Sequence, residues 1–182
     1  MKSSKRFHYI PVNEAVSKVL NRIKNGRLII EEVSLLDAFG RVLAEDIIIE
    51  NDIPPIDTAH FDGYAVNYMD TINASPKNPI KIIVKGEIYP NKIHNYEIKK
   101  GEAYYIGTGG YLPKGANAII PIESVKLIND KIEVRHPSKF GDHVIWRGSD
   151  FKSGEIVFRR GHVLRAQDIG LLAHLGFKKV RV

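Results

Sequence analysis

The chain has 182 residues, 43% of them hydrophobic and none of them cysteine. That length suits one or two small domains, the apolar content supports a real core, and the absence of cysteine excludes disulfide frameworks and thiolate metal sites. The net charge of +6 is uneven: residues 1–30 carry seven Lys/Arg against Glu14 alone, residues 31–138 eleven against sixteen acids, and residues 139–182 nine against four. Basic ends around an acidic middle fit either a face for an anionic ligand or ordinary solvated surface. No stretch reaches the ~20 apolar residues that cross a bilayer, and residues 1–10 lack an apolar signal core, so a cytoplasmic protein with no membrane partner is expected.

Val16, Val19, Leu20 and Ile23 recur at three- and four-residue steps, which predicts an amphipathic helix over 12–25 with Asn13 as N-cap and Gly26 as stop. A helical turn follows over 34–39, capped by Ser34 and ended by Gly40. Val42-Leu43 and Ile47-Ile48-Ile49 read as strand, broken by Asp52-Ile53-Pro54-Pro55. Residues 80–84, 103–106 and 118–122 are short β-branched runs. Val125, Leu127, Ile132 and Val134 alternate around Asn129-Asp130, the pattern of a hairpin. Such strands, punctuated by Gly and Pro, suggest a small barrel or sandwich. Residues 155–158 and 162–164 read as strands joined around Arg160-Gly161. Residues 166–175 read as a helix stopped by Gly176, and Val180 to Val182 as a last strand. The return of mixed structure and basic charge after 139 leads to the expected organisation: an α+β, mainly β fold. In it a β-rich, barrel-like subdomain (51–136) is inserted into a discontinuous helix-strand subdomain (1–50 plus 137–182).

Three loops stand out chemically. In Asp57-Thr58-Ala59-His60-Phe61-Asp62-Gly63-Tyr64-Ala65-Val66, the Asp-Gly pair favours a tight turn, and Asp62 is either a turn residue or a carboxylate aimed from a rigid loop. The Gly-rich run Gly107-Thr108-Gly109-Gly110, continuing to Ala116, offers amides and the Thr108 hydroxyl to an anion, or is simply a pair of turns; it is not a Walker loop. In residues 141–154, Arg147 and Asp150 lie three apart between glycines. Arg147 suits phosphate and Asp150 suits proton transfer, water or a cation, against the alternative of an ion-paired surface turn. His8, His60, His94, His136, His143, His162 and His174 show no metal-ligand spacing, and no metal ligand is assigned.

Taken in order, four blocks resemble one family, the molybdopterin molybdenumtransferases (the MoeA proteins and the related domains of gephyrin and its plant counterpart). They are Ala38-Phe39-Gly40-Arg41-Val42-Leu43-Ala44-Glu45-Asp46; Pro54-Pro55-Ile56-Asp57 with Phe61-Asp62-Gly63-Tyr64-Ala65-Val66; Thr108-Gly109 with Leu112-Pro113-Lys114-Gly115-Ala116 and the acid Glu123; and Arg147-Gly148-Ser149-Asp150 through Gly154, then Asp168 to Ala173 and Leu175-Gly176. Two departures stand out: Phe61 replaces a frequent Met or Val, and the run before Asp150 has fewer arginines and one acid fewer.

The resemblance implies insertion of molybdate into adenylylated molybdopterin with release of AMP, assisted by Mg2+, in a homodimer. It implies Asp62 and Asp150 as catalytic carboxylates, with Thr108 and Arg147 as substrate contacts. It also implies a molybdopterin-binding α/β domain and a small β-domain beyond position 182, so that this chain alone is expected to be inactive. Two alternatives are a non-catalytic dimerisation and lever module, and a basic nucleic-acid-binding β module. Against the latter, Phe61, Tyr64, Tyr104 and Tyr105 lie in the acidic middle segment rather than among Lys/Arg, and no nucleic-acid partner is expected.

Overall fold

The computed structural model describes residues 9–24, 28–90 and 92–182. The chain divides into two compact units, one made of Met1–Glu45 with Arg159–Val182 and the other of Asp46–Phe158. Charge and composition predict boundaries at 50/51 and 136/137. They fall elsewhere because strand β2 (Ile47–Ile48) pairs antiparallel with β11 (Ile156–Phe158), which ties both segments to the second unit.

In the first unit, β1 (Glu32–Ser34) pairs antiparallel with β12 (Lys179–Arg181), Val33 facing Val180. A 3-10 turn at Leu35–Asp37 follows β1; the Asp37 amide donates to Ser34 Oγ at 3.3 Å, the cap expected of that serine. Helix α2 (Ala166–His174) packs on this turn, and Leu35, Ala38, Leu43, Leu164, Leu172 and Val180 are buried. Residues 162–164 do not pair with 155–158. Val163 bridges Val42 instead, and the Leu43 amide donates to the His162 carbonyl at 2.9 Å. The short turn at Arg160-Gly161 suggested a local hairpin, but each flank found its partner more than 100 residues earlier. Helix α1 (Val12–Lys24) matches its periodicity yet buries no residue. It begins one residue before Asn13, whose side chain accepts from the Glu14 amide at 2.9 Å within the first turn. The stop assigned to Gly26 lies outside the described residues.

The second unit is built on a six-stranded sheet in the order β7-β4-β6-β5-β9-β8, curled into a half-barrel. The strands are β4 (Gly63–Val66), β5 (Ile80–Ile88), β6 (Glu102–Ile106), β7 (Ala118–Pro121), β8 (Val125–Ile128) and β9 (Lys131–Val134). All neighbours are antiparallel except β5 and β6. The edge strands β7 and β8 are consecutive in the chain, joined by a 3-10 turn at Ile122–Ser124, so the curl brings sequence neighbours together. One face buries Tyr64, Val66, Ile82, Ile120, Ile132 and Val134, and the other Ala59, Ala65, Ile88, Ile106 and Ile119. Burial on both faces explains why β6 and β7 read as short apolar runs, whereas β8 and β9 alternate. The hairpin at Asn129-Asp130 forms as read, with Asn129 at φ +54°. A small two-stranded sheet of β3 (Thr58–Ala59) and β10 (Val144–Ile145) completes the unit.

Among the described residues, no helix is long and apolar enough to cross a membrane.

Candidate functional site

Asp62 sits in the tight connection between β3 and β4. The connection is held short by contact of β4 with β7: a Cβ on Gly63 would lie 2.3 Å from the Ile120 carbonyl oxygen, so only glycine fits. The Thr108 amide and the Thr108 hydroxyl both donate to Asp62 Oδ1, each at 2.7 Å. These two bonds, the hydroxyl's first, hold the Asp62 carboxyl below its ordinary range and so ionised near neutral pH. The other oxygen, Oδ2, is uncommitted among the described residues. Phe61, Asp62, Thr108, Pro121 and Glu123 line a cavity of about 400 Å³.

The Gly-rich loop does something other than the anion cradle its composition suggested. The Gly107, Gly109 and Gly110 amides donate to the carbonyls of Ile88, Ala59 and Gly107, at 2.9, 2.8 and 2.8 Å. With the Thr108 amide on Asp62, all four amides of the run have protein partners. The loop's physical role here is to fix one carboxylate. Gly110 is required for that packing, since a Cβ there would come within 2.7 Å of Ile106 and 2.8 Å of the Gly107 oxygen.

Arg147 and Asp150 occupy a different corner of the same unit. The Arg147 amide donates to Asp57 Oδ1 at 2.7 Å, and its Nε donates to Asp52 Oδ2. Asp52 also accepts from the Ser153 amide at 2.8 Å; that bond first, and the Arg147 guanidinium second, lower its carboxyl below the usual range. Glu50, Asp52, Pro55, Arg147 and Ser153 are among the residues lining a cavity of about 250 Å³ there. Asp150 is exposed and lines neither cavity; its amide donates to the Ile53 carbonyl at 3.0 Å and its Oδ1 has a long 3.4 Å contact from the Ser149 hydroxyl. The structure thus joins Asp62 to Thr108 and Arg147 to Asp52 and Asp57, but does not bring Asp62 and Asp150 into one cavity. The Asp52–Arg147 pair, 95 residues apart in the chain, carried no local signal.

Among the described residues, no group of three or more His, Asp or Glu side chains is placed to hold a metal ion. A protein-only magnesium cage therefore does not fit the described residues. Magnesium is usually held by one or two carboxylates with substrate phosphates completing the shell, and Asp62 has one free oxygen to give to such a shell.

Residues 10–176 match the family described as "MoeA N-terminal region (domain I and II)". The chain belongs to this family. It is similar to the molybdopterin molybdenumtransferases of Staphylococcus aureus (31% identity) and Bacillus subtilis (32%), in each case over 95% of this chain and 41% of the relative. The molybdopterin biosynthesis moeA protein of Pyrococcus horikoshii superposes with a TM-score of 0.85 at 44% identity, over 96% of this chain and 46% of that one. The chain therefore spans less than half the length of the relatives it matches. The family assignment agrees with the mainly β fold and with the order of the four sequence blocks.

Proposed function

We propose that this chain is the N-terminal part of an enzyme of molybdenum cofactor biosynthesis, acting in the cytoplasm to insert molybdate into adenylylated molybdopterin with release of AMP. The observation that carries the reading is the Asp62–Thr108 unit, an ionised carboxylate with one oxygen fixed and one free at a cavity, on the family's own Asp-Gly-Tyr-Ala segment. Cleaving a phosphoanhydride next to an oxyanion requires that negative charge be neutralised. A carboxylate contributes by holding a magnesium ion through one ligand bond or by orienting a water, not by touching phosphate directly. Asp62 Oδ2 is suited to either. Arg147, with 65% of its side chain exposed beside Asp52, is the cationic contact for an anionic substrate, and Asp150 is a second carboxylate completed by groups outside this chain. The same chain also provides dimerisation, a reading favoured by the unburied apolar face of α1.

The test is molybdate insertion measured with the complete enzyme, or with the remaining domains supplied in trans. Asp62→Asn and Asp150→Asn each lower the rate by roughly 10²–10³ with unchanged melting, the usual cost of removing one placed charged group. Full activity in both variants removes the site assignment. The 182-residue chain alone is expected to be inactive, and measurable insertion by it contradicts the division of labour.

A further inference from the structure

A third cavity, of about 450 Å³, opens on the six-stranded sheet, and its lining follows from one irregularity in β5. Along β5, Ile80, Ile82 and Val84 belong to the face that carries Tyr64 and Tyr105. Strict alternation would continue with Gly86 and Ile88. The β5–β6 register shifts instead: Val84 pairs with Ala103, but Glu87 pairs with Tyr105 and Ile88 with Ile106. Three steps on β5 thus match two on β6, a bulge of one extra residue. Bulges are rare between parallel strands and re-aim side chains. This one moves Ile88 to the opposite core cluster and turns the Glu87 carboxylate onto the tyrosine face.

The result is one cross-strand row, Ile120, Tyr64, Tyr105 and Glu87, running over four neighbouring strands. Tyr64 and Tyr105 meet edge to face at 5.9 Å and 75°, and Tyr89, two residues beyond Glu87, is tilted 59° to Tyr105 at 6.1 Å. The Tyr89 hydroxyl donates to Glu87 Oε2 at 2.5 Å, which leaves Oε1 to accept from elsewhere. The hydrogen bond to Glu87 is the first cause that raises the Tyr89 phenol, whereas burial comes first for Tyr64 and Tyr105, followed by Tyr105 and then Glu87 for the former and by Asp62 and then Glu87 for the latter. Asp130, from the β8–β9 turn, adds a second carboxylate, and Val84 donates its amide to the Asp130 carbonyl at 2.7 Å, anchoring that turn over the opening. The one lysine of the lining, Lys85, is paired with Glu102 at 3.8 Å. Tyrosine rings set at angles to Tyr105 beside a carboxylate attract a cation through ring faces and charge together. Ile122 and Leu127, 42% and 55% exposed at the rim, offer an apolar wall that a bare ion would not use.

We propose that this cavity is a binding site for a guanidinium or ammonium group on an apolar stem, presented as an arginine or lysine side chain of a partner polypeptide. It is distinct from the Asp62 cavity and independent of the molybdate reading. The stem lies along Ile122 and Leu127, and the charged head enters between Tyr105 and Tyr89 to meet Glu87 Oε1.

The experiment is a titration of the ¹⁵N-labelled 182-residue chain with N-acetyl-arginine methylamide, its neutral citrulline counterpart, and a short peptide carrying one arginine between leucines. Saturable shifts of the Gly86, Glu87, Asn129 and Asp130 amides are expected with the arginine compounds, tightest with the peptide. Citrulline, and arginine on Glu87→Gln, bind at least about tenfold more weakly, the scale of a lost hydrogen bond to a charged group. Glu87 and Tyr89 are exposed, so Glu87→Gln and Tyr89→Leu keep a dispersed spectrum, and weakening in both supports the cage. Equal binding of citrulline, undiminished binding to Glu87→Gln, or no saturable shift at these amides overturns the proposal. Free arginine amide binding as tightly as the peptide overturns the polypeptide source.

Discussion

Asp168 shows how a residue of no obvious chemistry in the sequence becomes an electrostatic anchor. Its side chain is 5% exposed, yet it accepts from Arg165 Nε at 3.0 Å and the Arg165 amide at 3.0 Å, and meets His162 Nε2 at 2.7 Å. The Arg165 bond is the largest of the causes that hold its carboxyl far below the ordinary range, and burial opposes them. The carboxylate is also the reciprocal partner at the N-terminus of α2, joining cap to buried charge. A depressed folded pKa contributes stability that is present above the ordinary carboxylate value of 3.8 and lost as pH falls below it toward the folded value. Asp168→Asn is therefore expected to destabilise the chain by about 1–3 kcal/mol near neutral pH. In urea unfolding the gap to the unsubstituted chain narrows as pH falls from ~4 toward ~2; a gap that stays constant over that range contradicts the assignment. Asp62 and Thr108, by contrast, stand out in the sequence as Asp-Gly and Gly-Thr-Gly-Gly strings, which read equally as turns until the order of the family's blocks singles them out. Their bond to each other does not stand out, since 46 residues separate them. For the same reason the sequence leaves open whether the loop's amides face an anion or form turns; in the structure they serve the fold.

At the level of elements, periodicity located α1, α2 and most strands to within a few residues, because each is a single stretch with one dominant spacing. It stopped β5 at 84 when the strand continues to Ile88, because the bulge inverts the alternation there and Gly86 looks like a terminator. Pairing was the other gap. The partners of β11 and of residues 162–164 lie across the chain, and nothing in their own composition names them. Strand spacing at β4 gives a direct test. A methyl group on Gly63 would press into the backbone carbonyl of Ile120 at 2.3 Å, where no side chain can swing aside. Gly63→Ala is expected to destabilise the second unit by about 1–3 kcal/mol, the scale of core overpacking, and to separate β4 from β7. Slowed exchange at the Tyr64 and Val66 amides, which lie on the β7 side of β4, should be lost first in native-state hydrogen exchange. An alanine variant with unchanged melting and protection would mean that the strands do not approach as described.

The whole-molecule question is what covers α1. Val12, Val16, Val19, Leu20 and Ile23 form one stripe along the helix, and all are between 50% and 80% exposed. Thirteen residues are too few for a helix to persist in water on propensity alone; helices below ~12–15 residues are marginal without packing. An apolar stripe of this length on an otherwise polar helix fits a surface that another element or another chain covers. A second copy of the chain satisfies the requirement most simply, because a two-fold axis lays one such stripe against its twin and each copy covers the other. Sedimentation equilibrium at tens of micromolar, roughly where a standard-size interface holds, is expected to give a dimer. Leu20→Glu with Ile23→Glu places two carboxylates at the centre of the stripe, and each would be buried without a partner in the dimer. The double variant should sediment as a monomer and lose helical circular dichroism, while the near-ultraviolet signal of Trp146, stacked on Phe140 in the second unit, stays unchanged. A monomeric unsubstituted chain with full helix content, or a double variant that still dimerises, shows that α1 is covered by something other than its twin.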